Sequence, residues 1–240
     1  MSSKDPSSID TTLIQFQRTA PIRRAVYRQA RLAARDRILD AGAGTGLVSE
    51  EIASRTGCEV VAIDKAYFGN TNSSVKRVQG IIEQMPFRTG TFNAIAFNFV
   101  ILWLKDPVAA LKEASRVLAR DGVLLFLAEP DIDLRQDYPD TGIGRKIAET
   151  VRKTGGHPDA GSKLEEWLRQ LGFRTMLRSV QNERVTITDP AEILEEADFL
   201  FKAGSITELE RTKLVSIEKE AVMSGQRQVM LPLTYGTAHR

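Results

Sequence analysis

In the stretch Ile38-Leu39-Asp40-Ala41-Gly42-Ala43-Gly44-Thr45-Gly46, a carboxylate stands two places before the first of three alternating glycines. Such a cluster, directly behind an apolar pair, suits the approach of a ligand to bare backbone. Glycine reaches positive φ without strain and has no Cβ to collide with an incoming group. A helix starting near Gly46 would add unpaired N–H donors at the same spot.

Two ligand classes use a turn of this kind: a dinucleotide pyrophosphate, or the amino-acid part of S-adenosylmethionine. The dinucleotide fingerprint G-x-G-x-x-G, counted from Gly42, needs its third glycine at position 47, which is Leu47. A phosphate-binding P-loop needs Lys-Ser/Thr after the last glycine, and none follows.

The elements that must position this turn alternate along the chain. Arg37 to Asp40 reads as a buried strand, Leu47 to Ala53 as a helix, and Glu59 to Ile63 and Val75 to Gly80 as the next two strands. Phe92 to Val100 is a fourth strand. Asp106-Pro107 opens a helix with Ala110, Leu111, Ala114, Val117 and Leu118 on one face, Asp121-Gly122 ends it, and Val123 to Leu127 is the fifth strand. This alternation predicts an α/β fold: a Rossmann-like, mostly parallel seven-stranded sheet with helices on both faces. Ligands of such sheets bind beyond the carboxyl ends of the strands.

Past Glu129 the pattern loosens into a loop and short helix over roughly 130–157. Ser162 with Glu165 reads as a capping box opening a helix that Gly172 stops, and Phe173 to Val180 as the sixth strand. Residues 189–224 read as a helical insertion of two helices, begun at Asp189-Pro190 and at Thr207 with Glu210, before a last strand from Gln228 to Tyr235. The expected division is an N-terminal helical segment, 1–36, and one domain, 37–240, carrying that insertion.

The motif from Ile38 to Gly46 resembles the first motif of the class I S-adenosylmethionine-dependent methyltransferases, hydrophobic-hydrophobic-D-x-G-x-G-x-G. Three further stretches agree. Val60-Val61-Ala62-Ile63-Asp64 ends a strand in an acid, which the resemblance places on the cofactor's ribose hydroxyls. Gly80 to Phe97, GIIEQMPFRTGTFNAIAF, is similar to G-D-A-E-x-L-P-F followed by F-D-x-V, with Ile81 and Asn93 replacing two aspartates. Adenine would then rest on Ile81 and Ile82, with Glu83 as the remaining acid. Leu111 to Pro130 resembles the helix and strand around R-V-L-x-P-G-G, where Arg116 and Val117-Leu118 are structural. The likeness is strong over about 37–130 and nearest to small-molecule and quinone C-methyltransferases.

The resemblance implies S-adenosyl-L-methionine as cofactor, held by Asp40, Gly42, Ala43, Gly44, Gly46, Asp64, Lys65, Ile81, Ile82, Glu83, Asn98 and Phe99. It implies methyl transfer to a small-molecule acceptor. Asn98-Phe99-Val100-Ile101 lacks the D/N-P-P-Y of amide and adenine N-methyltransferases, and Cys58 lies at the wrong end of its strand for cytosine chemistry. No residue declares itself as a general base; the candidates are His157, Glu129 and Asp131. If residues 189–224 form a lid, Phe199 or Phe201 should meet the acceptor.

Composition sets the outer bounds. One cysteine and two histidines in 240 residues argue against a disulfide framework and the usual zinc sites, and fit a cytoplasmic protein. No apolar run is long enough to span a membrane, and MSSKDPSSID is too polar for a signal peptide. Seven arginines between Arg18 and Arg37 read first as a solvated helix face. They keep open two alternatives: an RNA- or protein-modifying methyltransferase, and a non-catalytic cofactor-binding protein. The oligomeric state, monomer or homodimer, is left open.

Overall fold

A computed structural model describes residues 7–66, 74–181 and 183–240, with side chains from residue 12 onward. Residues 1–6 of the polar N-terminal stretch lie outside the described residues. Helices α1 (Ser7–Arg18) and α2 (Ala20–Gln29) precede β1 (Arg37–Ala41), α3 (Leu47–Thr56), β2 (Glu59–Asp64), β3 (Val75–Gln79) and β4 (Phe92–Phe97). There follow α4 (Pro107–Val117), β5 (Leu118–Pro130), β6 (Gln136–Tyr138), α5 (Ile143–Lys153), α6 (Ala160–Gln170) and β7 (Arg174–Val180). The chain ends with β8 (Arg184–Thr186), α7 (Pro190–Lys202), α8 (Glu208–Met223), β9 (Gln228–Met230) and β10 (Leu233–His239).

The expected seven-stranded sheet is present, in the order β3-β2-β1-β4-β5-β10-β7. β1 to β5 pair in parallel, and β10 runs antiparallel to both neighbours. Parallel strands covered on both faces need apolar side chains on both. β5 supplies them alternately: Val123, Leu125 and Leu127 face the α2–α3 side, while Leu124 and Phe126 face the other. Phe97 and Phe126 stack there at 5.3 Å between ring centroids.

The Asp106 cap holds, its Oδ1 accepting from the Ala109 amide at 2.9 Å, and so does the Thr207–Glu210 capping box. Four expectations change. β4 stops at Phe97 rather than Val100, because Phe99 adopts φ 56° and turns the chain away. Asp121-Gly122 is no turn; it lies within β5, where the pairing with β4 shifts register. The last strand divides at Leu231-Pro232, since proline has no N–H for the ladder, and Gln228–Met230 instead joins β6 and β8 in a separate three-stranded sheet. Ser162 caps nothing: α6 begins at Ala160, and the Ser162 amide and hydroxyl both donate to Asp131.

The helices of 189–224 are joined to the rest by two means. Ala197, Leu200 and Leu214 enter the main core, and buried charges do the remainder. Arg227, fully buried, donates to Glu218 and to Asp137, and Arg135 bridges Asp137 and Glu196. At the other end, Arg18 of α1 forms a two-pronged ion pair with Glu192 of α7. No helix among the described residues is long and apolar enough to cross a membrane.

Candidate functional site

A cavity of about 680 Å³ opens beyond the carboxyl ends of β1, β2 and β4, where the sheet topology directs a ligand. The glycine turn forms its floor. The amides of Gly42 and Ala43 both donate to the Ile63 carbonyl, at 2.8 and 3.1 Å, which folds the turn onto the end of β2. Gly44, at φ 51°, has nothing within 4 Å of where a Cβ would stand, so its backbone is open to a ligand. Its amide donates to Asp64 Oδ2 at 2.9 Å, and the Ala66 amide donates to Oδ1 at 3.0 Å. Each carboxylate oxygen keeps a lone pair, so Asp64 can still accept from two ribose hydroxyls.

Of the residues named from the sequence, Gly42, Ala43, Gly44, Asp64, Lys65, Ile81, Ile82, Glu83, Asn98 and Phe99 line this cavity. Two do not. Asp40 is buried beneath the turn, accepts a hydrogen bond from the Ser49 hydroxyl, and is pushed up to about 6 by burial. It braces the turn from below. Gly46 caps α3 at φ 87°, and a Cβ there would run into the Arg77 guanidinium.

The cavity has further walls that motif reading did not find. Thr12, Gln15 and Phe16 of α1 close one side; Val100, Trp103, Leu104 and Lys105 close another. Nothing in the spacing of α1 marks it as a wall, since its placement depends on distant contacts. Buried Arg23 fixes Phe16, lying 3.8 Å over its ring and donating to its carbonyl, while its Nε pairs with Glu51 of α3 at 2.7 Å. The arginine-rich segment is therefore only partly a solvated face. Arg18, Arg23, Arg35 and Arg37 hold internal partners, and Arg24, Arg28 and Arg31 are exposed.

None of the three base candidates lines the cavity. Glu129 is fully buried, and its carboxyl accepts from the Val100 and Ile101 amides; burial pushes it up to about 8. Asp131 accepts from Leu134 and Ser162, tying the end of β5 to α6. His157 packs edge-on against Trp167, with its amide donating to the Leu102 carbonyl at 2.8 Å. Phe199 makes an edge contact with Trp103 at 5.6 Å and so backs the cavity wall, while Phe201 is exposed beside Arg211. At the cavity wall, Asn98 Oδ1 is buried and has no hydrogen-bond partner among the described residues. A buried acceptor of this kind at a cavity wall suits a ligand donor.

The chain is similar to known methyltransferases. A methyltransferase domain family model matches residues 39–126. The chain is 28% identical over 172 residues to the ubiquinone/menaquinone biosynthesis C-methyltransferase UbiE of Rhizobium johnstonii, covering 64% of this chain and 67% of that one. It is 36% identical over 113 residues to a ubiquinone biosynthesis O-methyltransferase of Xanthomonas oryzae pv. oryzae, covering 42% and 46% of the two chains. It thus spans about two thirds of the first relative's length and under half of the second's. A crystal structure from Anabaena variabilis, described as a methyltransferase of an antibiotic biosynthesis pathway, shares the fold with a TM-score of 0.62 and 15% identity. That match covers 90% of this chain and 96% of the other.

Proposed function

The chain belongs to the class I S-adenosylmethionine-dependent methyltransferases, and from that premise we propose that it methylates a small, largely apolar acceptor. One observation carries the acceptor class. The cavity that holds the glycine turn and Asp64 is also lined by Phe16, Val100, Trp103 and Leu104, an apolar set beside the polar Gln15 and Lys105.

The residues fit the cofactor. Open backbone at Gly44, two accepting oxygens at Asp64 and apolar Ile82 match its amino-acid, ribose and adenine parts respectively. When bound, the cofactor supplies a methyl group on a positively charged sulfur. The chain's task is then to hold a nucleophile in line behind that methyl and to keep water out. Holding two reactants in near-attack geometry supplies much of such an acceleration. The apolar walls and α1, lying over the cavity, do both. Glu129, Asp131 and His157 are engaged elsewhere, so the acceptor's nucleophile is one that needs no strong protein base, or takes its help from the orphan oxygen of Asn98. The names of the relatives support quinone precursors as the first acceptors to try, at carbon or at oxygen. A cytoplasmic setting, with the protein a monomer or homodimer, completes the proposal.

The test is incubation with radiolabelled methyl donor and a panel of quinone precursors and fractionated extract. Label should enter a small apolar compound. Label entering RNA or protein instead would favour the arginine-rich segment as a substrate surface. Tight binding of nicotinamide dinucleotides with none of S-adenosylmethionine would end the methyltransferase reading.

A further inference from the structure

We propose that Glu129 is a positioning residue: its carboxyl group holds the turn after β4 in the shape that lets Asn98, Phe99, Val100 and Trp103 wall the cavity. The inference rests on the reading of that cavity as the cofactor and acceptor site.

The turn has few supports of its own. Phe99 sits in the left-handed region at φ 56°, a conformation that a bulky residue keeps only when its surroundings impose it. The Phe99 amide continues the sheet ladder to the Ala128 carbonyl at 2.9 Å. The next two amides, of Val100 and Ile101, stand at the start of the short 3₁₀ turn Ile101–Trp103, where no carbonyl within the turn can reach them. Both instead meet Glu129 Oε2, at 3.2 and 3.0 Å, from the end of the neighbouring strand. Glu129 is 0% exposed, so no water can take its place. A buried amide left without a partner is costly, so these two bonds fix where the turn lies.

The position of the turn matters to the cofactor floor. Val100 occupies the space beside Gly42, where a Cβ would fall 2.6 Å from Val100 Cγ2. A displaced Val100 therefore disturbs the glycine turn as well as the acceptor wall. Glu129 itself lines no part of the cavity, which separates its task from catalysis. A single carbonyl-type oxygen meets both amides, so an uncharged group of the same length can serve.

S-adenosylhomocysteine, the demethylated cofactor, is the probe, titrated by calorimetry against the full-length protein. Glu129→Leu removes the accepting oxygens and should weaken binding roughly tenfold or more, the loss expected of stranded buried amides. Glu129→Gln keeps a carbonyl oxygen on the same stem and should restore affinity to within about threefold of wild type. Leu125→Ala, also buried on β5 but facing the opposite side, should lower the melting temperature without changing affinity. If Glu129→Leu does not fold, Glu129→Asp, one methylene short of the turn, takes its place with the same expected loss. Wild-type affinity in whichever of these is folded, or an equal loss in Leu125→Ala, overturns the proposal. Failure of the wild-type protein to bind the probe would instead overturn the family reading.

Discussion

The cofactor half, residues 37–130, and the cap made of α1 and residues 131–232 are held by different physics. The first is a ladder of parallel strands with apolar residues on both faces, and its one deeply buried acid away from the turn, Glu129, faces only backbone amides. The second places charges inside: Arg227 with Glu218 and Asp137, Arg135 with Asp137 and Glu196. Apolar burial is indifferent to direction, whereas buried ion pairs fix orientation at a desolvation cost. The half that carries the glycine turn is held by apolar burial, and the half that backs the cavity through α1 and Phe199 is held by buried charges.

The largest test of that contrast is Arg227→Met. It strands Glu218 and weakens the hold on Asp137, so the protein should lose about 3–5 kcal/mol in urea unfolding. A loss under about 1 kcal/mol would mean that the charges do not hold the cap.

Next comes Asp64→Ala, which should weaken S-adenosylhomocysteine binding by roughly one to two powers of ten, since about 1.5–3 kcal/mol of charged hydrogen bonding disappears. Calorimetry giving wild-type affinity would place the ligand elsewhere. The melting temperature should fall far less than in Arg227→Met.

A smaller effect falls on the pH dependence of stability. Glu129 and Asp40 are raised by burial, to about 8 and about 6. Each folded-state carboxyl keeps a proton that the unfolded chain gives up near pH 4, so their contribution to stability falls as pH rises through the interval up to the folded value. Unfolding at pH 5, 7 and 8.5 should show Glu129→Gln with a flatter slope than wild type. An unchanged slope would mean that Glu129 is ionised in the folded protein.

The smallest expected change is on affinity alone. Trp103→Ala removes the surface that Phe199 backs, and should leave cofactor binding within about threefold while raising the acceptor KM. Equal losses for cofactor and acceptor would erase the division between the glycine-turn floor and the apolar wall.

How much was legible in the sequence follows the same division. The glycine turn, Asp64 and the strands β1 to β5 are local: each is written in contiguous residues with a period and a stop. The cavity residues after β4 were half legible, because Asn98 and Phe99 end a readable strand, whereas Trp103 and Lys105 lie beyond a left-handed turn that no residue type announces. Phe16 and Gln15 were invisible, since a helix distant in sequence reaches the cavity through tertiary pairs such as Arg23 with Glu51 and Arg18 with Glu192. Asp40 and Glu129 misled for one reason. A carboxylate at a strand end reads as a ligand contact, and burial beneath the turn makes each a brace. The insertion at 189–224 was readable as helices but not as a fixture. With Ala197, Leu200 and Leu214 in the main core, cutting it out would open that core rather than lift a lid.

Gly42 and Gly44 look alike in the motif, yet they would fail in different assays. At Gly42 a side chain meets Val100, a neighbour within the fold, so every substitution there is a defect of manufacture. At Gly44 there is room for a side chain, and beyond some backbone strain the harm falls on whatever comes to rest there. In a survey of all single substitutions, scored once for cellular abundance and once for retention on a cofactor resin, Gly42 should stand out in the first map and Gly44 chiefly in the second. Two identical letters, two apart, are thus constrained by different selective pressures: one by the chain's own interior, the other by its guest.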